Sequence, residues 1–145
     1  MLGVWQPPVP GDFGPLTNLE GALGRKVDIV PWYQAWGSPN NSAFRADKIR
    51  WVHEHGAIPM ITWEPWNTKN GVNQPEYSLR QIAAGKHDSY IRGWARAAAQ
   101  LDGPLFLRFA HEMNGNWYPW AAGVNGNSAA DYINAWRHVH DIFEA

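Results

Sequence analysis

The sequence predicts an α/β fold in which parallel strands are covered by helices. Two observations support this prediction. Strand-like and helix-like segments alternate along the chain, and the strand-like segments are apolar throughout rather than alternately polar and apolar. Continuous apolar strands are typical of a parallel sheet that is buried on both faces. In folds of this class the loops that follow the strands carry the functional residues.

Four short apolar segments are predicted to be the strands. Pro7 and Pro8 close the first of them, because proline cannot donate to a strand ladder. The four segments are LGVWQ at 2–6, VDIVPWY at 27–33, AIPMITW at 57–63 and GPLFLRFA at 103–110. A helical segment follows each strand, so the chain reads as four consecutive βα units.

Capping residues indicate where the first two helices begin and end. The helix at 16–23 is predicted to end at Gly24, since glycine adopts the left-handed conformation that terminates helices. The helix at 42–56 is predicted to begin with Ser42 as its N-cap and to end at Gly56. Trp51 in this second helix is predicted to pack against the sheet.

The last two helical regions are predicted in the same way. A broken region contains residues 78–85 and 88–100, and Asp88 is predicted to cap its second part. Ser128 and Asp131 resemble a capping box at the start of the final helix. The apolar side of that helix is predicted to contain Tyr132, Ile133, Trp136, Val139 and Phe143.

Composition narrows the classes of function. The chain has 145 residues with 45% hydrophobic content, so we interpret residues 1–145 as one domain with a sizeable core. Its 12 basic and 13 acidic residues lack the electrostatic signature of a nucleic-acid-binding protein. No apolar run approaches the ~20 residues that cross a membrane. The absence of cysteine excludes disulfides, thiolate zinc sites and cysteine nucleophiles.

Tryptophan is the strongest anomaly in the composition, with ten residues in the chain. Two interpretations stay open for each indole. The ring is either part of a core rich in large side chains or a stacking surface for the flat apolar face of a ligand. Several of the ten lie in segments rich in Pro, Gly and Asn, which favours loops and therefore the second interpretation for those positions.

The segment RFAHEMNGNWYPW at 108–120 carries the main candidate, Glu112. This glutamate follows the last predicted strand and is close in sequence to the rings of Trp117, Tyr118 and Trp120. Arg108 lies four residues before Glu112, and residues at that spacing lie on the same face of a strand. We therefore expect the guanidinium to lie beneath the carboxylate. Flanking rings that exclude water favour the protonated carboxyl group, which suits a general acid, whereas a guanidinium beneath it favours the ionised form, and both outcomes stay open. The alternative is an ordinary surface or salt-bridged glutamate.

A second group of candidates follows the preceding predicted strand. Glu64 is either a loop carboxylate bonded to backbone amides or an acidic group that faces the same cleft as Glu112. His111, Asn114 and Asn116 offer hydrogen bonds to hydroxyl groups, although Asn-Gly pairs are also common in turns. The rings predicted to form platforms for sugars are those of Trp63, Trp66, Trp117 and Trp120.

Other chemistries have little support. The histidine pairs at 53/55 and 138/140 are two residues apart, whereas helices that bind zinc place two histidines four apart on one face. No glycine-rich phosphate loop, nucleophile elbow or dinucleotide-binding fingerprint is present. We therefore expect neither a metal site nor a cofactor.

RFAHEMNGNWYPW resembles the fourth-strand signature of glycoside hydrolase family 26, a family of retaining endo-β-glycanases built on a (β/α)8 barrel. The resemblance covers nearly the whole chain. It continues through DIVPWYQAWGS, GAIPMITWEPW, IAAGKHDSYIRGWARAAA and NGNSAADYINAWRHVHDIF. The resemblance implies that Glu112 is the catalytic acid/base. It also implies that His111 and Trp117 contact sugar beside the scissile bond and that Trp63, Glu64 and Trp66 line the cleft.

The resemblance also implies a substrate and an incomplete fold. β-1,4-Mannan is the first substrate it suggests, with mixed-linkage β-1,3-1,4-glucan and β-1,3-xylan as alternatives. The family's nucleophile is a glutamate after the seventh strand, and a barrel of this kind needs ~250 residues. We therefore expect the (βα)4 N-terminal half of a secreted enzyme's barrel. Its partner is expected to be the complementary C-terminal half or a second copy. A non-catalytic carbohydrate-binding half-barrel is the alternative.

Overall fold

The computed structural model describes all 145 residues. Strands and helices alternate as the sequence predicted, with short 3₁₀ turns at Pro75–Tyr77 and Val124–Gly126. The elements are α1 Gly14–Leu23, β1 Ile29–Ala35, α2 Ala46–His55, β2 Ile58–Glu64, α3 Leu79–Ala83, α4 Asp88–Ala98, β3 Phe106–Phe109 and α5 Ala129–Glu144.

The three strands form one sheet in the order β1-β2-β3. At the start of the first pair, the Ile58 N–H donates to the Asp28 carbonyl at 2.8 Å. At the end of the same pair, the Trp36 N–H donates to the Glu64 carbonyl at 2.8 Å. Both strands therefore run in the same direction, and the prediction of a parallel sheet is confirmed. The half-barrel stays a prediction.

The predicted strand at 2–6 is not a strand in the structure. Gly3 forms an isolated parallel bridge with Ile29, and the pairing extends no further. The physical reason is Pro31 in β1. The Ile29 N–H donates to the Leu2 carbonyl and the Val4 N–H donates to the Ile29 carbonyl, and the next donor in this ladder would be residue 31, which has no N–H. The last predicted strand is also shorter than expected, since β3 covers Phe106–Phe109 rather than 103–110.

Local capping signals had mixed outcomes. Gly24 ends α1 with φ 67° and Gly56 ends α2 with φ 92°, so both predicted termination signals are confirmed. The capping box of α5 is also confirmed. The Asp131 N–H donates to Ser128 Oγ at 3.2 Å, and the Ser128 N–H donates to Asp131 Oδ2 at 2.8 Å.

Two predicted N-caps are wrong. The helix α2 begins after Arg45, and the carbonyl of Ser42 instead accepts hydrogen bonds from Tyr90 and Trp94. The helix α4 has no side-chain cap, because the Asp88 carboxylate lies 2.6 Å from His138 Nε2. Asp88 is therefore engaged with a residue distant in sequence, whereas Ser42 lies too far from the observed start of α2 to cap it.

The chain divides into two compact units. The first unit contains Met1–Tyr33, Arg45–Thr62 and Leu101–Arg108, and its fully buried core residues are Leu16, Val30, Ile49, Val52 and Ile61. The second unit contains Gln34–Phe44, Trp63–Gln100 and Phe109–Ala145. In the second unit α5 packs against α3 and α4, and the buried residues include Trp63, Leu79, Ile82, Ile91, Trp120 and Ala135. The single domain predicted for 1–145 stays a prediction.

The apolar side predicted for α5 is only partly correct. Its buried stripe is Ala135, Val139 and Ile142, whereas Ile133 and Trp136 are about half exposed. The Trp136 ring stacks on His140 of the same helix, with 5.4 Å between ring centroids. Trp51 on α2 is similarly exposed, so neither tryptophan is the well-packed helix residue that the sequence predicted.

Candidate functional site

The candidate site lies in the second unit, in the two loops that follow β2 and β3. At the end of β2, the Trp66 N–H donates to the Glu64 carbonyl at 2.9 Å and turns the chain sharply. At the end of β3, the Ala110 N–H donates to the Trp63 carbonyl at 3.1 Å. Parallel strands bring the residues after their carboxyl ends to one edge of a sheet, which is the edge where ligands bind in folds of this class.

The backbone directly after β3 adopts a rare conformation. Ala110 has φ 46° and Glu112 has φ 54°, and neither residue is a glycine. Residues with side chains adopt this left-handed region rarely, and such strain persists where surrounding contacts enforce it. β3 ends at Phe109, so the alternation of side chains along a strand does not extend to Glu112 and does not support placing Arg108 beneath its carboxylate. That placement stays a prediction. Arg108 is exposed and belongs to the first unit.

Glu112 presents its carboxylate to solvent beside an exposed indole. The Trp117 Nε1–H donates to Glu112 Oε2 at 3.0 Å, and the Trp117 ring is 56% exposed. Gly115 makes this contact possible, because a Cβ at that position would lie 2.6 Å from the Trp117 ring. The sequence reading treated this glycine only as part of a turn.

A cluster of four rings supports this pair; we call Trp66, His111, Tyr118 and Trp120 the ring cluster. Tyr118 and Trp120 stack with centroids 4.4 Å apart and planes at 10°. Trp66 meets both of them edge-on, at 5.4 and 5.8 Å. His111 Nε2 lies 2.9 Å from the Tyr118 hydroxyl oxygen, and the histidine is buried. The four rings therefore pack against one another, and one of them, His111, directly precedes Glu112 in the sequence.

Burial separates the four tryptophans that were predicted to be sugar platforms. Trp117 is exposed and Trp66 is partly exposed, so both offer surface to a ligand. Trp63 and Trp120 are 0% exposed, so the platform prediction does not fit them. Trp63 instead packs among aromatic side chains of the core, and its Nε1–H donates to the Tyr90 hydroxyl at 3.2 Å. Burial raises the pKa of that tyrosine.

The remaining predicted site residues fall into two groups. Asn114 and Asn116 are exposed on the loop after β3. Glu64 is only 6% exposed, and its backbone carbonyl accepts hydrogen bonds from the N–H groups of Trp36 and Trp66. Glu64 is thus a buried carboxylate at the matching position of the neighbouring strand.

Two asparagines that sequence reasoning missed join the two loops. The Asn125 side chain donates to the Val72 carbonyl at 2.8 Å and to the Pro119 carbonyl at 3.1 Å. The Asn127 side chain donates to the same Pro119 carbonyl at 2.8 Å and accepts from the Leu79 N–H at 3.2 Å. The repeated Asn in VNGNS was the available signal, but amides of this kind are also common in simple turns.

Gln74 stabilises the loop after β2 from within. Its side chain is buried, accepts from the Asn67 N–H at 2.8 Å and donates to the Asn67 carbonyl at 2.9 Å and to the Gly71 carbonyl. Both loops are therefore held by side-chain amides bonded to the backbone. No group of three or more His, Cys, Asp or Glu side chains is arranged to hold a metal ion. None of the helices is long and apolar enough to span a membrane.

The chain is similar to parts of two known proteins, one named an endoglucanase and the other a xylanase. No protein-family model matches it. It is 38% identical over 148 residues to Endoglucanase H of Acetivibrio thermocellus, an alignment that covers 99% of this chain and 15% of that protein. It is 29% identical over 62 residues to Beta-1,3-xylanase TXYA of a Vibrio species, which covers 43% of this chain and 12% of that protein. The chain thus spans a small part of each relative's length.

Proposed function

We propose that the full-length protein hydrolyses a β-linked polysaccharide at internal bonds, and that Glu112 is its catalytic acid/base. One observation carries the proposal. An exposed carboxylate occupies a left-handed residue directly after a strand, beside an exposed indole that donates a hydrogen bond to it. Backbone strain of this kind concentrates at functional sites. The names of the two relatives support the same class of reaction.

In the proposed mechanism Glu112 acts twice. As an acid it protonates the glycosidic oxygen of the leaving sugar while a second carboxylate attacks the anomeric carbon. The proton moves from Glu112 to the leaving group, and the sugar becomes covalently bound to the second carboxylate. Glu112 then removes a proton from water while the water oxygen bonds to the anomeric carbon and the bond to the second carboxylate breaks, which releases the sugar with retained configuration. The second carboxylate must lie ~5–5.5 Å away, and we propose that a later part of the protein supplies it.

The other side chains of the site are assigned to binding. Trp117 and Trp66 offer partly or largely exposed ring faces, which suit the apolar C–H faces of sugar rings. Asn114 is exposed and offers hydrogen bonds to hydroxyl groups. As the family resemblance implies, we assign His111 and Trp117 to contacts with the sugar next to the scissile bond, and Glu64 to the lining of the cleft. Neither a metal nor a cofactor enters the mechanism.

The motif resemblance and the names of the relatives favour different polysaccharides as the substrate. The motif resemblance favours β-1,4-mannan, and the name of the relative aligned over 99% of the chain favours a β-glucan. β-1,3-Xylan is the third candidate, on the name of the second relative. A panel of the three polysaccharides, assayed for new reducing ends with the full-length protein, ranks them directly. Secretion of the protein is proposed with this function, because such polysaccharides lie outside the cell.

Replacement of the acid/base tests the proposal. Glu112→Gln preserves the shape of the side chain but cannot deliver a proton, so hydrolysis of the preferred polysaccharide should fall ~10²–10⁴-fold. Oligosaccharide binding, measured by calorimetry, should persist. Glu76→Gln is the control, an exposed glutamate of the same unit. A Glu112→Gln variant within tenfold of the parent would contradict the assignment. Binding without turnover in the parent protein would favour the non-catalytic alternative.

The partner of this region is also a proposal. β3 lies at an edge of the sheet, and exposed strand edges pair readily with other chains. We propose that the missing surface is supplied by the rest of the full-length protein, or by a second copy when the 145 residues are produced alone. Sedimentation of the isolated chain tests this: a monomer at all concentrations would contradict self-association.

A further inference from the structure

We propose that Trp120 is a positioning residue for the acid/base, and that it acts by holding the backbone of the strained turn at 110–112. This inference rests on the proposed function of Glu112. The Trp120 Nε1–H donates to the His111 carbonyl at 2.6 Å, and this hydrogen bond is buried. Trp120 is 0% exposed, so it acts on the reaction through the turn and not by touching the substrate.

Each carbonyl of the turn has a hydrogen-bond donor. The Tyr132 hydroxyl donates to the Ala110 carbonyl at 3.1 Å, and the Gly115 N–H donates to the Glu112 carbonyl at 3.0 Å. The His111 carbonyl lies between them and is held by Trp120. Left-handed residues such as Ala110 and Glu112 persist only where the surroundings determine the backbone more firmly than local preference does. These three bonds are the contacts that do so.

The Trp120 ring is itself held in place. It stacks on Tyr118, whose hydroxyl lies 2.9 Å from His111 Nε2, and it meets the edge of Trp66. The ring cluster therefore contacts His111 at two points, because Tyr118 lies at hydrogen-bond distance from its imidazole and Trp120 donates to its carbonyl. A change in the peptide plane after His111 rotates the backbone of Glu112, which redirects the carboxylate. Small displacements of this kind reduce the rate of proton transfer strongly.

Trp120→Phe removes the N–H and retains a ring that can stack. Trp94→Phe is the matched control, because Trp94 is also buried in the second unit and its Nε1–H donates to a backbone carbonyl, that of Ser42, at 3.0 Å. Both variants lose one buried indole–carbonyl hydrogen bond and should lose similar stability. Only Trp120→Phe should affect the acid/base.

The experiment compares two substrates in the full-length protein. One is the polysaccharide that the parent cleaves, whose leaving sugar needs a proton. The other is a dinitrophenyl β-glycoside of the same oligosaccharide, whose leaving group departs without one. In Trp120→Phe, kcat on the polysaccharide should fall about tenfold or more, while the pre-steady-state rate of the first dinitrophenol release should stay within about threefold of the parent. The first turnover is compared because every later one needs Glu112 as the base that activates water. Trp94→Phe should leave both rates close to the parent.

Three results would overturn the inference. They are an unchanged kcat on polysaccharide in Trp120→Phe, an equal loss in this kcat and in the first-turnover rate of dinitrophenol release, and the same pattern in Trp94→Phe. Tyr132→Phe, which removes the donor to the Ala110 carbonyl, should show the same selective loss and decides the matter if Trp120→Phe does not fold. Failure of the proposed function is distinguishable, because Glu112→Gln would then retain activity on polysaccharide.

Discussion

Two glutamates of this chain have opposite environments, Glu20 in the first unit and Glu112 in the second. The Glu20 side chain is 5% exposed and accepts hydrogen bonds from the Val27 N–H at 2.9 Å and from Lys26 at 3.1 Å, with His55 Nε2 at 3.0 Å. Burial alone would raise the pKa of Glu20, but its hydrogen bonds from Val27, Lys26 and His55 outweigh this effect and lower it.

Glu112 has little of this support. It is exposed, it lies at a left-handed residue, and its carboxylate accepts a hydrogen bond from an indole that is itself exposed. Glu20 therefore has a structural role, since a change in its charge or position disturbs the buried Val27 N–H and the largely buried His55. Glu112 contributes little to the core, and its backbone strain is a cost to stability that the proposed role as acid/base would explain.

The largest expected effect is on stability, at Glu20. Glu20→Ala should lower the free energy of unfolding by about 3–5 kcal/mol, because it leaves His55 and the Val27 N–H without their partner. Urea unfolding followed by tryptophan fluorescence measures the change. Glu54→Ala on the exposed face of α2 is the control and should change stability by about 0.5 kcal/mol or less. Equal losses in the two variants would show that the Glu20 network does not stabilise the fold.

A smaller loss of stability is expected at Asn127 in the second unit. Asn127→Ala should cost about 1–3 kcal/mol, because it leaves the Leu79 N–H and the Pro119 carbonyl without this partner. Asn116→Ala, an exposed asparagine of the same loop, is the matched control. If the urea midpoint of unfolding is the same in both variants and in the parent, the hydrogen bonds of Asn127 do not stabilise the fold.

Trp117 should separate binding from stability. Trp117→Ala should weaken binding of manno- or gluco-oligosaccharides about tenfold, which is ~1.4 kcal/mol, and should change the unfolding free energy little. Trp136→Ala is matched in exposure, at 46% against 56%, and should leave affinity unchanged. Titration calorimetry of both variants with the preferred oligosaccharide measures this. If Trp117→Ala has a lower melting temperature and an unchanged affinity, the Trp117 ring stabilises the fold and does not bind sugar.

The smallest expected effect is a change in the pH dependence of stability. The pKa of Glu20 is lower in the folded chain than its ordinary value of 4.5. A lowered pKa contributes stability above the unfolded value and loses it as pH falls through the folded value. The unfolding free energy should therefore decrease below about pH 4.5. The decrease should be shallower in Glu20→Gln.

Other acidic groups act in the same direction and are present in both proteins. Hydrogen bonds from Arg80 and Ser128 lower the pKa of Asp131 to about 2, and a hydrogen bond from Arg45 lowers that of Asp47 to about 2 despite some burial. The difference between parent and Glu20→Gln isolates the glutamate. Identical slopes in urea titrations from pH 6 to pH 3 would contradict the assignment of this pH dependence to Glu20.

Much of the fold could be predicted from the sequence because its signals are local. Gly24 and Gly56 end their helices because glycine adopts the left-handed conformation, which depends on that residue alone. Ser128 and Asp131 form a capping box within one turn of the same helix. The alternation of strands and helices follows from apolar periodicity in the same way. Glu112 could be identified as a candidate for the same reason, because the apolar segment before it and the aromatic residues after it are its neighbours in sequence.

Only the tertiary structure decided which rings face solvent and which backbone is strained. Trp117 and Trp120 are three residues apart in the same loop, yet one is largely exposed and the other fully buried. Nothing local distinguishes them, because burial depends on residues distant in sequence, such as Trp66. The start of α2 also differs from the local signal: the helix begins after Arg45, and the carbonyl of the predicted cap Ser42 accepts hydrogen bonds from Tyr90 and Trp94. The sequence by itself determined the elements and the candidate carboxylate, whereas the packing of distant side chains decided the shape of the site.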